Sequence, residues 1–148
     1  MAVATAAGRR LEEDLLSAIE DALWRYEPVR SRALPIDVTL KGDGVVGVHG
    51  NAPTRIIKES ILGLVSSIAG VERVEDDLQA DPAIEVGVAE ALATDPTTAH
   101  LPPGAIQVFA DLGIVVLVGS LEAADRSAAL QVAAAIPGVR RVIDRLDS

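Results

Sequence analysis

Two segments of this chain read almost alike, "SIAGVERVEDDL" and "AIPGVRRVIDRL". The likeness runs on in register around them. Gly44 and Gly113 stand 69 residues apart, Gly50 and Gly119 likewise, and Gly70 and Gly138 stand 68 apart. Val71, Val74 and Leu78 fall on Val139, Val142 and Leu146, and upstream Ile36 and Val38 fall on Ile106 and Val108 at an offset of 70. One-residue deletions in two turns account for the drift. Glycine contributes 12 of 148 residues, so this set of matches is not a product of composition. A fixed long period means one folding unit used twice. The boundaries read as residues 9–79 and 80–148.

Each unit can be read locally. In the first, "RRLEEDLLSAIEDALWRY" carries Leu11, Leu15, Ile19 and Leu23 at helical spacing, with acids on the other face. "IDVTL" alternates, with Ile36, Val38 and Leu40 on one side and Asp37 and Thr39 on the other. "KGDG" turns the chain back into "VVGVHG", which predicts a hairpin that ends at His49 and Gly50. Pro53 and Thr54 then open a helix along Ile57, Ile61, Val65 and Ile68, stopped by a left-handed Gly70, before a last strand in "VERVEDDL". The second unit repeats the order: a helix capped by Asp81 and started by Pro82, the loop "ATDPTTAHLPPG", the hairpin "AIQVFA"/"GIVVLVG", a helix and the strand "VRRVIDRL". The predicted class is α+β, as two tandem α-β-β-α-β units. Each is a three-stranded mixed sheet with two helices on one face. Units of this size bury a limited share of their surface alone, so the two are expected to pack as one compact body.

At this point "GVVGVHGNAPTRIIKESILGLVSSIAGVERVEDDL" resembles the BON domain, a module named after bacterial osmotic-stress and nodulation proteins. The residues that carry the resemblance are Gly50, Pro53, Thr54, Lys58, Gly70, Val71 and Val74. The second unit keeps Gly119, Gly138, Val139 and Val142 but opens its helix with "EAAD", and no Lys precedes Ser127. The resemblance implies a non-catalytic binding module. It also implies relatives that are often periplasmic or outer-membrane associated, some proposed to bind phospholipids, with cytosolic ones acting in ion sensing.

The residues themselves narrow the chemistry. No cysteine is present, which removes disulfides, thiolate metal sites and Cys nucleophiles. His49 and His100 are the only imidazoles, and no serine sits in a nucleophile elbow. The glycines Gly44, Gly50, Gly70, Gly113, Gly119 and Gly138 read as structural turn residues, not as a phosphate cradle or cofactor site. An enzyme is not expected, and no catalytic residue or cofactor is assigned. For a metal the candidates are the acids of "EDDLQAD", Glu75, Asp76 and Asp77 beside the cap Asp81, which lack the spacing of a calcium loop.

Acids outnumber bases 22 to 13, a net charge of −9, and three aromatic residues make no stacking platform, so nucleic acid is set aside. A phospholipid surface would have to engage Arg25, Arg30, Arg32, Arg55, Lys58, Arg140, Arg141 and Arg145 against that net charge. The longest apolar run, "IVVLV", is far short of a bilayer span, and "MAVATAAGRR" does not read as a secretory leader. A cytoplasmic protein is expected as written, or one of the cell envelope if an export signal was trimmed.

The strongest pointer is to a protein partner or self-association. The outer face of the second hairpin carries Phe109, and its partner strand, with Val116 at its centre, is apolar on both faces. Helices on one side cannot cover it. The matched last strands also contrast in charge, "ERVEDD" with Glu72 and Asp77 against "RRVIDR" with Arg140, Arg141 and Arg145. These strands are expected either to neighbour one another, within or between chains, or to charge exposed edges against aggregation. The function expected is non-catalytic binding through sheet surfaces, as an accessory or stress-associated protein. The alternatives are a phospholipid-associating envelope protein and a small cytosolic ion or ligand sensor.

Overall fold

The computed structural model describes residues 6–147; Met1–Thr5, on which half of the leader reading rests, and Ser148 lie outside the described residues. The chain divides into two units, Met1–Gly50 with Ile56–Leu78, and Asn51–Arg55 with Gln79–Ser148.

The first unit opens with α1 (Ala6–Arg25). Ile19 and Leu23 are buried while Leu11 is 69% exposed, so the predicted apolar stripe packs only along its C-terminal half. A short helix that the periodicity did not announce, α2 (Glu27–Ser31), follows with Pro28 in its first turn, where a missing N–H goes unnoticed. Strands β1 (Ile36–Gly42) and β2 (Val45–Ala52) pair antiparallel, Val38 opposite Val48. The connection is the two-residue turn Asp43–Gly44, both at positive φ, as a turn matched to strand twist requires. His49 therefore lies inside β2 and does not end it. Helix α3 (Arg55–Ser66) buries Ile61 and Val65 and stops earlier than the sequence suggests; Gly70, at φ +100°, belongs to the turn beyond it. The chain then enters β3 (Arg73–Ala80), which lies beside β2 and completes a mixed sheet of order β1-β2-β3.

The second unit repeats the plan. Helix α4 (Asp81–Thr94) follows β3 without a loop. The cap is Ala80 and no side chain caps the helix; Asp81 is the first helical residue, and its buried carboxylate accepts hydrogen bonds from the N–H groups of Leu112 (2.7 Å) and Gly113 (3.1 Å). The capping role expected for Asp81 is thus replaced by a brace on a distant turn. Within the following loop, Thr98, 1% exposed, donates its hydroxyl to the Leu92 carbonyl at 2.7 Å.

Strands β4 (Ile106–Asp111) and β5 (Ile114–Ser120) pair antiparallel across the braced turn Leu112–Gly113, again both at positive φ. Helix α5 (Ala123–Ala134) crosses over to β6 (Arg141–Asp147), which runs parallel to β5, giving the order β4-β5-β6. Ala129 and Ala133, four apart on α5, are fully buried against Ile84, Val88, Val115, Leu117 and Leu146. Small residues let this helix sit close to the sheet. The Glu85 carboxylate of α4 accepts the Ala110 N–H at 3.0 Å and occupies a donor of edge strand β4.

Two of the six repeat glycines are not turn residues. Gly50 lies within β2 opposite Ile36, and Gly119 within β5 opposite Ile106. A Cβ at Gly50 would stand 1.8 Å from the Pro35 carbonyl oxygen, and one at Gly119 2.2 Å from that of Ala105. Close backbone approach explains these glycines at matched places in both sheets.

Candidate functional site

Side chains alternate across a strand, and the register between strands fixes which of them share a row. On the inner face of the second sheet, Val108, Val115, Leu117, Val142 and Leu146 join the helix-covered core. The opposite face carries three rows: Asp111, Ile114 and Arg141; Phe109, Val116 and Ile143; Gln107, Val118 and Arg145. The middle row is wholly apolar. Its three side chains, and the Ile114 and Val118 of the flanking rows, lie outside the buried core, and Phe109 is 52% exposed. Arg141 and Arg145 are exposed at the β6 edge and make no ion pair among the described residues.

The matching face of the first sheet is built differently. Thr39, Gly47 and Glu75 stand at the repeat positions of Phe109, Val116 and Ile143. The Lys41 ammonium pairs with Glu75, which is also held by Arg73 at 3.2 Å. A Cβ on Gly47 would meet Lys41 Cε at 2.9 Å and His49 Nε2 at 3.2 Å, so the absent side chain leaves the channel in which Lys41 crosses β2 to reach β3. The Lys41 hydrogen bond holds the Glu75 carboxyl below its ordinary pKa, and the same bond raises Lys41. His49 Nδ1 lies 3.4 Å from Asp77. One sheet thus presents an ion-paired surface and its duplicate an apolar one.

Each of the acids Glu75, Asp76 and Asp77 has a partner of its own in this geometry. Alternation along β3 places Glu75 and Asp77 on one face and Asp76 on the other. Glu75 takes Lys41 and Arg73, Asp77 takes His49, and Asp76 takes Lys58 at 3.2 Å and the Leu78 N–H at 3.0 Å. Among the described residues no group of three His, Cys, Asp or Glu side chains is placed to hold a metal ion.

The Lys58–Asp76 pair exposes a signal that the motif reading missed. At an offset of 68 the second unit has Arg126 and Asp144. Arg126 Nε donates to Asp144 at 2.6 Å, and Asp144 accepts the Leu146 N–H at 2.9 Å as Asp76 accepts that of Leu78. The helix cation tied to the last strand is therefore present in both units, as Lys in one and Arg in the other. The Leu146 N–H and then Arg126 hold the Asp144 carboxyl below its ordinary pKa.

The remaining candidates are dispersed. Arg140 donates to the Leu112 carbonyl at 3.1 Å and its own N–H to that of Gly113 at 2.7 Å, so it holds the carbonyls of the two turn residues whose N–H groups Asp81 accepts. Glu72 is exposed and gives its N–H to the Gly44 carbonyl. Arg25 closes α1, Arg32 follows α2, Arg30 donates to the Trp24 carbonyl, and Arg55 begins α3. Both β3 and β6 are edge strands, and the acids of β3 find partners within their own unit, Lys41 and Arg73 for Glu75, Lys58 for Asp76 and the His49 ring for Asp77. His100 meets Asp125 at 2.9 Å on the surface.

A cavity of ≈ 390 Å³ between α4, the following loop and β4 is lined by residues such as Leu92, Thr98, Leu101 and Ile106, none with a titratable side chain. No helix among the described residues is long and apolar enough to cross a membrane.

No curated protein matches the chain. Among solved structures, two of CdsD from Chlamydia trachomatis, described as a structural protein of the type III secretion system, are similar in fold. Each covers 90% of this chain, and 91% and 96% of theirs, at 16% identity and a TM-score of 0.41. One of the two is the C-terminal domain of that protein. The BON domain family model matches residues 9–82 and again residues 80–147. Matched over both halves, the chain belongs to the BON domain family and carries the domain in two tandem copies.

Proposed function

We propose that this tandem BON-domain protein is a non-catalytic interaction module whose adhesive surface is the outer face of β4-β5-β6. The observation that carries the reading is the apolar row Phe109–Val116–Ile143, with Phe109 52% exposed on a face that helices leave uncovered. A row of this kind lowers its free energy by leaving water, at about 25 cal/mol per Å² of apolar surface covered. The ion-paired face of the first sheet provides the contrast. Of the cations that a lipid surface would engage, Lys58 is spent on a carboxylate, and Arg30 and Arg140 on backbone carbonyls.

The test is site-specific photo-crosslinking in cells, with a benzophenone amino acid in place of Phe109 and, as the control, in place of Thr39. Protein adducts from position 109 and none from position 39 are expected. Equal adducts at both, or none at either, would overturn the reading.

A further inference from the structure

We infer that the occupant of this face is a second copy of the chain, packed sheet on sheet about a two-fold axis that runs along β5. The inference rests on the adhesive reading of the face given above and adds the partner and its orientation.

The charge pattern selects the arrangement. Sheets that pack face to face keep their strands roughly aligned, about 10 Å apart. Two kinds of two-fold axis in the interface satisfy that condition. An axis along β5 lays β4 of one copy over β6 of the other and keeps each row above itself. Asp111 then faces Arg141, Phe109 faces Ile143, Val116 faces Val116, and Gln107 faces Arg145, each cross-strand contact made twice. An axis across the strands lays β6 over β6 and exchanges the end rows, so Arg141 faces Arg145 twice. Like charges brought together at the rim of an apolar contact oppose it, and opposite charges fix its register. Only the first axis makes the face complementary to itself, as an isologous dimer demands.

The size of the face sets the strength. Three strands about 4.8 Å apart and five residues at about 3.4 Å each give a flat area of about 250 Å². That is well below the roughly 800 Å² per partner of a standard stable interface. The dimer is therefore weak and concentration-dependent, with Kd above about 1 µM.

Sedimentation equilibrium of the full chain from about 5 to 500 µM tests the inference, the span set by the weakness of small interfaces. Wild type is expected to pass from monomer to dimer, with Phe109→Thr monomeric throughout. Asp111→Arg and Arg141→Asp alone place like charges opposite one another and are expected to raise Kd by about 10-fold or more. Mixing these two variants restores both opposite-charge contacts in a heterodimer, so the mixture is expected to associate about as tightly as wild type. This rescue is open only to contacts between molecules, and it also certifies that both variants are folded. A wild type that stays monomeric, or a mixture no tighter than its components, would overturn the second-copy inference. In that case adducts to other proteins from position 109 would leave the adhesive face standing with a different occupant, whereas no adducts would remove both.

Discussion

The brace on the second hairpin turn allows a quantitative test. Asp81 is 5% exposed, and its two carboxylate oxygens accept separate backbone N–H groups, from Leu112 at 2.7 Å and Gly113 at 3.1 Å. Hydrogen bonds to a charged group contribute about 1.5–3 kcal/mol each, and deleting the acceptor leaves the donors to whatever water can enter. Gly113 is buried and Leu112 half-buried, so water replaces only part of the loss. Asp81→Ala is therefore expected to cost about 3 kcal/mol.

Asp81→Asn keeps the shape but turns an NH₂ toward one of the two donors, so it is expected to cost nearly as much. In urea melts followed by circular dichroism, with a slope of about 1.5 kcal/mol/M, a 3 kcal/mol loss moves the midpoint by about 2 M. Hydrogen exchange should locate the effect, with faster exchange at the amides of Leu112 and Gly113. If both variants melt within about 0.5 kcal/mol of wild type, the scale of a neutral surface change, the carboxylate is no brace. If Asn is silent and Ala costly, the role is one of shape and not of two accepted hydrogen bonds.

Other substitutions follow from the same geometry. Leu112→Asn relieves a bulky side chain at φ +48°, where Asn is tolerated, and is expected to stabilise by about 0.5 kcal/mol in the same melts. Gly119→Ala drives a methyl to 2.2 Å from the Ala105 carbonyl oxygen and is expected to cost about 3 kcal/mol or more; a loss under about 1 kcal/mol would mean that the strands can move apart. The Asp144 carboxyl is held below its ordinary pKa, so the folded protein binds fewer protons than the unfolded chain. Its contribution is complete above the unfolded value, near pH 4, and is lost as pH falls through the lower folded one. Asp144→Asn should thus lower Tm at pH 7 and flatten the decline of Tm below about pH 4; an unchanged acid limb would refute the assignment.

The repeat made most of the architecture readable in advance, because matched glycines and alternating aliphatics constrain strand pairing from both ends. The hairpin around "KGDG" followed from turn chemistry, the hairpin "AIQVFA"/"GIVVLVG" from the repeat, and the first crossover helix from periodicity. What stayed hidden depends on partners remote in sequence. Asp81 reads locally as a cap, and only the fold reveals a turn 31 residues later within its reach. Helix α2 has five residues and one buried position, too few to show a period. Arg126 escaped because the motif asks for Lys, although its pairing with Asp144 repeats Lys58 with Asp76 at the same offset. The apolar row was half legible: Phe109 and Val116 stood out, but Ile143 joins them only through the parallel register of β5 and β6.

Gly47 bears on how such a surface can change over generations. Lysine reaches its carboxylate across β2 because nothing projects from that glycine, while the duplicate has valine there. Glycine and valine codons differ at a single base. A one-letter mutation in the gene could therefore block the crossing and expose hydrocarbon on the first copy of the domain. The reverse letter at Val116 would open the same passage in the second. The inherited difference between a polar and a greasy sheet in this chain rests in part on one nucleotide in each copy.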